Sequence, residues 1–164
     1  VIIPVVKVPL HPYSTKLDKK DKINTYFYKL IMANYTLTPD TKHLICEQII
    51  QSDWLIASLC AAWCNTCEAY QATFKTLSEQ HPALPFVWID IEDNADLVGD
   101  LDIENFPTLL IQNQNTICFL GTVLPDINVA ARIIRTHLIQ TKISRSNNPL
   151  LPANYNLRQL LQNK

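Results

Sequence analysis

Cys64 and Cys67 stand two residues apart in the run Trp63-Cys64-Asn65-Thr66-Cys67. Two thiols at this spacing can grip a metal, close a structural staple, or exchange disulfides with another protein, and their surroundings decide which. Upstream, residues 55–60 form a short apolar run, consistent with a strand buried on both faces. Downstream, Cys67, Tyr70, Phe74 and Leu77 recur along one face of a helix, and His81-Pro82 ends it. Cys64 is therefore expected where a buried strand hands over to a helix. There it meets free backbone N–H groups and the positive end of the helix dipole, which stabilise its thiolate. The thiolate is the attacking species in disulfide exchange. Cys67, one turn inside, is placed to reach back and close a disulfide with Cys64.

The other readings of the pair fare worse. A tetrahedral zinc site needs two further ligands, and Cys46, Cys60 and His43 form no second paired motif. Five cysteines (Cys46, Cys60, Cys64, Cys67 and Cys118) is an odd set, unlike a secreted disulfide framework. Cys60 and Cys118 lie inside apolar runs, where cysteine serves as a small core hydrophobe, and Cys46 is read the same way. One reactive pair among inert thiols fits a reducing compartment.

Composition narrows the function classes further. The 164 residues suffice for one domain with its own core, and 48% hydrophobic with 18% charged residues argues for a globular chain. A net charge of -1 supplies no general attraction to nucleic acid or an anionic membrane. With only Gly99 and Gly121, a glycine-rich phosphate cradle is excluded. No apolar run approaches the roughly 20 residues needed to span a bilayer. Residues 90–104 carry seven acids and no base, but their spacing matches no calcium loop. They read as a solvated face, with partner docking as the minor alternative. His11, His43, His81 and His137 form no constellation with an acid or nucleophile.

The elements that must hold the pair follow from periodicity and turn signals. Thr38-Pro39-Asp40 offers an N-cap, a first-turn proline and an early acid, predicting a helix from there to about residue 52. Residues 86–91 read as a second strand and 94–100 as a short helix. Residues 108–112 and 116–120 read as a hairpin about Asn113-Gln114-Asn115. An amphipathic helix starts near Asp126, and Leu157, Leu160 and Leu161 repeat at helical spacing after a proline-bearing linker. Met32-Ala33 has the form of a translation start, so residues 1–31 are set apart as an N-terminal extension that folding does not need, with a short helix over 26–31. Residues 32–140 form the domain and 141–164 a tail with a short helix. The order is α/β: a central mixed sheet, flanking helices and a C-terminal antiparallel hairpin.

Three separated features together resemble the thioredoxin family. They are Trp63-Cys64-Asn65-Thr66-Cys67 after an apolar strand, Phe106-Pro107-Thr108 before the hairpin, and Gly121 after it. The resemblance covers roughly residues 53–140. It implies a thioredoxin-like fold and a thiol–disulfide oxidoreductase in which Cys64 attacks and Cys67 resolves. It also implies a cis Pro107, with Phe106 pairing its backbone with a substrate chain and Trp63 shielding the cysteines. Protein disulfides would be the substrates, an upstream disulfide reductase the recycling partner, and no cofactor is called for. The expected form is a cytoplasmic monomer, without nucleic-acid or membrane partners; a periplasmic site stays open. The departures are specific: Asn65-Thr66 replaces Gly-Pro, Ser58 stands where the family buries an aspartate, Trp88 aligns with its lysine neighbour, and Ala72 replaces the helix-kinking proline. With the proton-handling acid missing, a second reading is a non-catalytic binding module that uses the groove beside Pro107.

Overall fold

The computed structural model describes residues 34–99, 101–140, 144–149 and 151–163. The extension over 1–31, its short helix and the start at Met32 lie outside the described residues. The elements in chain order are β1 (Asn34–Thr36), α1 (Lys42–Gln51), β2 (Trp54–Cys60), α2 (Asn65–Gln80) and β3 (Phe86–Asp90). There follow α3 (Ala95–Val98), β4 (Thr108–Asn113), β5 (Thr116–Thr122), α4 (Ile127–Leu138) and α5 (Leu157–Gln162).

The strands form one mixed sheet in the order β1-β3-β2-β4-β5. β3 lies parallel to both β1 and β2, whereas β4 runs antiparallel to β2 and to β5. β2 is thus the middle strand, and its alternating side chains feed two separate cores. Leu55, Ala57 and Leu59 pack with α1, α3 and α5 through Ile45, Ile49, Leu97, Leu157 and Leu161. Ile56 and Cys60 pack with α2 and α4 through Cys67, Tyr70, Phe74, Leu77, Ala130 and Ile134. The periodic face predicted for α2 is the buried one. Asp126 caps α4 as expected, its carboxylate accepting from the N–H groups of Asn128 and Val129.

Two local expectations are corrected. The helix after residue 38 begins only at Lys42, with Thr41 preceding it, because Thr38-Pro39-Asp40 belongs to a turn. The Thr38 hydroxyl accepts from the Thr41 N–H at 3.2 Å and so closes the turn ahead of the helix, while Thr41, whose hydroxyl donates to the Thr36 carbonyl at 2.6 Å, takes the N-cap position without a side-chain cap bond. The short edge strand β1 has no counterpart in the sequence reading. Three residues are too few to show an alternation, and its partner lies some fifty positions away.

The C-terminal stretch set apart as a tail packs on the core through its described residues. Leu151, Tyr155, Leu157 and Leu161 are buried against α1 and α3. Polar contacts then fix α5. Arg158 donates to the carbonyls of Ile49 (2.7 Å) and Ser52 (2.8 Å), closing the end of α1, whose last turn carries no basic residue of its own. The fully buried Gln112 of β4 donates to Asn156 at 2.5 Å and accepts from the Arg158 N–H, and Asn156 in turn caps α5. Tyr155 donates its hydroxyl to the Leu97 carbonyl at 2.7 Å.

If α5 is part of the core, Leu161→Ala should destabilise the chain by about 2–5 kcal/mol, the usual cost of emptying a fully buried leucine site. Urea unfolding would show it as an earlier midpoint at unchanged slope. A loss below roughly 0.5 kcal/mol, the range of surface substitutions, would mean that α5 does not stay docked in solution.

Candidate active site

β2 leaves the sheet at Cys60, and a tight turn carries the chain into α2. The Cys64 N–H closes this turn on the Ala61 carbonyl at 3.0 Å. Cys64 itself is the N-cap of α2, its sulfur accepting from the Cys67 backbone N–H at 3.3 Å. Burial works against ionisation of Cys64 but is outweighed. The Cys67 backbone N–H donates to the sulfur, and together with the neighbouring Cys67 thiol and the backbone N–H and hydroxyl of Thr66 it holds the pKa below the ordinary thiol value. The inserted Asn65-Thr66 dipeptide therefore contributes directly to the thiolate's environment.

Cys67 is buried, 2% exposed, on the face of α2 turned toward β2. Burial raises its pKa; the neighbouring Cys60 thiol pulls the other way, while Cys64 raises it again. The two thiols of the pair are thus split in opposite directions, the outer one toward thiolate and the inner one toward thiol. All five cysteines are free thiols in this structure.

Behind the pair lies a neutral patch. Ser58 is fully buried and sits opposite Trp88 in the β2–β3 register, so these two positions are neighbours in space as the sequence alignment requires. The Ser58 hydroxyl lies 3.5 Å from the Cys60 sulfur. The Tyr70 ring packs against Phe74 and Trp88, and its buried hydroxyl finds no partner among the described residues.

The outer rim is aromatic. Trp63 is 65% exposed, yet it is held on two sides. Its indole N–H donates to Glu92 at 2.9 Å, and its ring meets Phe106 edge-on with centroids 5.7 Å apart. The Phe106–Pro107 peptide bond is cis, as the resemblance implied. Thr108 pairs with Leu59, which puts that bond at the end of the sheet where β2 runs into the cysteine turn. The Thr108 hydroxyl closes the preceding bend on the Asn105 carbonyl at 2.7 Å, and the Pro107 carbonyl accepts from Val123 at 3.0 Å.

The structure therefore brings Trp63, Cys64, Cys67, Phe106 and Pro107 to one end of the sheet. Two neighbours escaped the sequence reading. Glu92 belongs to the acidic stretch treated as a solvated face, and nothing in its spacing marks it as the partner of an indole. Cys60 is buried as expected, and it shares its buried cluster with Cys67. Its signal was available: Ser58 and Cys60 are two apart on one strand and must share a face. Cys118 is buried away from the site, whereas Cys46, expected in the core, is only half-buried, with its thiol donating to the Leu161 carbonyl at 3.4 Å.

Comparison with known proteins agrees with this geometry. A family model for thioredoxin matches residues 38–124, more than half of the chain and all of the site. Over 64 residues the chain is 27% identical to thioredoxin of Ophiophagus hannah, covering 39% of this chain and 61% of that one. Over 75 residues it is 29% identical to protein disulfide-isomerase A4 of Homo sapiens, covering 43% of this chain and 12% of that one. The chain thus spans less than two thirds of the length of these curated relatives. A poplar thioredoxin h matches the fold with a TM-score of 0.57 at 20% identity, over 66% of this chain and 98% of that one. Strands β2 to β5, the cysteine turn and the cis proline all lie inside the matched region, and the chain belongs to the thioredoxin family.

Proposed function

We propose that this chain is a thiol–disulfide oxidoreductase that acts on protein disulfides through Cys64 and Cys67. The observation that carries this reading is the opposed pair: an outer sulfur at a helix N-terminus that accepts from the Cys67 backbone N–H and is held toward thiolate, and an inner, buried sulfur held toward thiol one turn behind it. The Cys64 thiolate attacks one sulfur of a substrate disulfide. A Cys64–substrate bond forms, and the second substrate sulfur leaves as a thiolate. Cys67 then loses its proton to solvent or to the departing thiolate and attacks Cys64. The substrate is released as a dithiol, reduced by two electrons, and the chain keeps a Cys64–Cys67 disulfide. A disulfide reductase, or a dithiol reacting in the reverse sense, restores it.

Trp63, Phe106 and Pro107 form the surface on which a substrate chain lies. The aromatic edge contact and the Glu92 hydrogen bond fix the indole beside Cys64, so it presents apolar area at little entropic cost. The resemblance assigns backbone pairing with the substrate to the segment at Phe106.

Cys64→Ser is expected to abolish reduction of a protein disulfide by a dithiol donor, whereas Cys67→Ser accumulates mixed disulfides that mass spectrometry detects. Turnover by the Cys64→Ser chain would overturn the reading.

Alkylation should resolve the two thiols by pH. Cys64 titrates below the ordinary thiol pKa of about 8.5 and Cys67 above it, so iodoacetamide consumes Cys64 first as pH rises from about 6. Faster labelling of Cys67 would reverse the assignment.

Thr66→Val removes one hydroxyl donor from the Cys64 thiolate. The thiolate stabilises the dithiol form, so its loss makes the pair more reducing. About 1 kcal/mol for one solvent-accessible hydrogen bond corresponds to roughly 20 mV. The unmodified pair should lie above the thioredoxin value of about -270 mV. Equilibration with glutathione measures both; an unchanged potential in Thr66→Val would show that the hydroxyl plays no part.

A further inference from the structure

A cavity of about 480 Å³ opens between the turn after β1, α3 and α5, at the end of the sheet where Asp90 pairs with Cys60. Three buried leucines, Leu37, Leu97 and Leu161, make its floor apolar. Asp93 and Asp96 stand exposed at its rim, and Lys42 is the one base in its lining. The acids continue past the cavity, since residues 90–104 hold seven of them and no base. Asp93 also follows Glu92, whose carboxylate holds the Trp63 indole, so the rim runs up to the aromatic edge of the cysteine site.

Charge is divided unevenly along the chain. Residues 1–31 carry six lysines against two aspartates, whereas residues 32–164 carry eight bases against thirteen acids. The net charge of -1 thus conceals two opposed parts. Four of the six lysines fall in the run Lys16-Leu17-Asp18-Lys19-Lys20-Asp21-Lys22-Ile23, where Leu17 and Ile23 supply aliphatic side chains among them.

We propose that residues 16–23, which lie outside the described residues, dock in this cavity, with Leu17 and Ile23 over the three leucines and the lysines against Asp93, Asp96 and the acids beyond. Exposed charges attract one another weakly and hold no particular geometry, so the acids alone would remain a solvated face. The leucine floor supplies what they lack: apolar side chains buried there fix where the segment lies, and the opposed charges select this segment over the apolar stretch before it. The connection is long enough. Ile23 precedes Asn34 by eleven residues, which span up to roughly 35–40 Å when extended, whereas the strand they must retrace, β1, has three. Docking is also intramolecular, at an effective concentration on the order of millimolar, so a contact too weak to hold a free peptide is populated here. Its effect on the site is electrostatic: lysines beside the acids next to Trp63 present an incoming protein with a less acidic rim. Docking of this kind is independent of the chemistry at Cys64 and Cys67.

A water-soluble carbodiimide, which joins a lysine to a carboxylate only where the two touch, is the probe. The full chain, mixed in equal parts with a heavy-nitrogen copy, is treated at about 0.02 M salt, digested and mapped by tandem mass spectrometry. Lys16, Lys19, Lys20 and Lys22 should join Asp93 and Asp96 within single chains, about fivefold or more above Glu68 and Glu79, exposed acids of α2. The yield should fall by about the same factor at roughly 0.5 M salt. Leu17→Ser with Ile23→Ser keeps every lysine and should lower the yield about threefold or more. Equal linkage to Glu68 and Glu79 would overturn the proposal, because the lysines would then be sampling the whole surface. Linkages that join heavy to normal chains would overturn it in favour of a second copy as the occupant. An unchanged yield in the double serine variant would reduce the contact to charge alone and overturn docking in the cavity.

Discussion

The double burial of β2 is the constraint on which the rest of the molecule depends. A strand covered on both faces is apolar along nearly all its length, and its alternation must satisfy two cores at once. Leu55, Ala57 and Leu59 serve one core and Ile56, Ser58 and Cys60 the other. Because neighbours hold both faces, the point where β2 leaves the sheet is rigid, and the turn that starts at Ala61 inherits that rigidity. The antiparallel partner β4 enters at the same end through the cis Phe106–Pro107 bond. The reactive sulfur and the segment proposed to meet a substrate are therefore set by the pairing of two adjacent strands, not by flexible loops.

From that fixed point the difference between the two thiols follows. Cys64 is the last residue before the helix, so its side chain meets N–H groups that have no carbonyl partner within α2. Cys67 is one turn into the helix, where the same geometry points it at β2 and into the core. Two identical side chains three residues apart thus acquire opposite tendencies from backbone position alone. The two residues sharpen the difference, since the Cys67 backbone N–H donates to the outer sulfur and favours its ionisation while Cys64 raises the pKa of Cys67.

Much of this was legible in the chain, and the parts that were not have physical causes. The buried run of β2, the spacing of Cys67, Tyr70, Phe74 and Leu77, and the Asp126 cap are local patterns, and each appears where periodicity puts it. Thr38 closes a turn just ahead of the helix instead of capping its first turn, because the Thr41 hydroxyl ties that turn back to the Thr36 carbonyl of β1, a strand that spacing does not display. The docking of α5 depends on Arg158 reaching the end of α1, more than a hundred residues earlier in sequence. Gln112 looked like an ordinary strand residue, yet its buried amide joins β4 to α5. Glu92 and Trp63 meet only because two loops fold to one end of the sheet.

The neutral patch behind Cys67 gives this site its particular character. A buried carboxylate there would need a countercharge, since an isolated one raises its own pKa until it is neutral. Ser58 and Trp88, side by side in the sheet, remove both halves of such a pair together, so no unpaired charge remains. The arrangement is self-consistent for folding, but it changes how Cys67 can ionise. A serine hydroxyl and a thiol stabilise a thiolate through hydrogen bonds, and neither can accept a proton as a carboxylate does. The Ser58 hydroxyl lies against the Cys60 sulfur, and Cys60 shares its buried cluster with Cys67, so these neighbours of the inner sulfur are neutral. In this chain the inner thiol is thus backed by neutral groups, and the loss of the acid and of its countercharge are two aspects of the same packing.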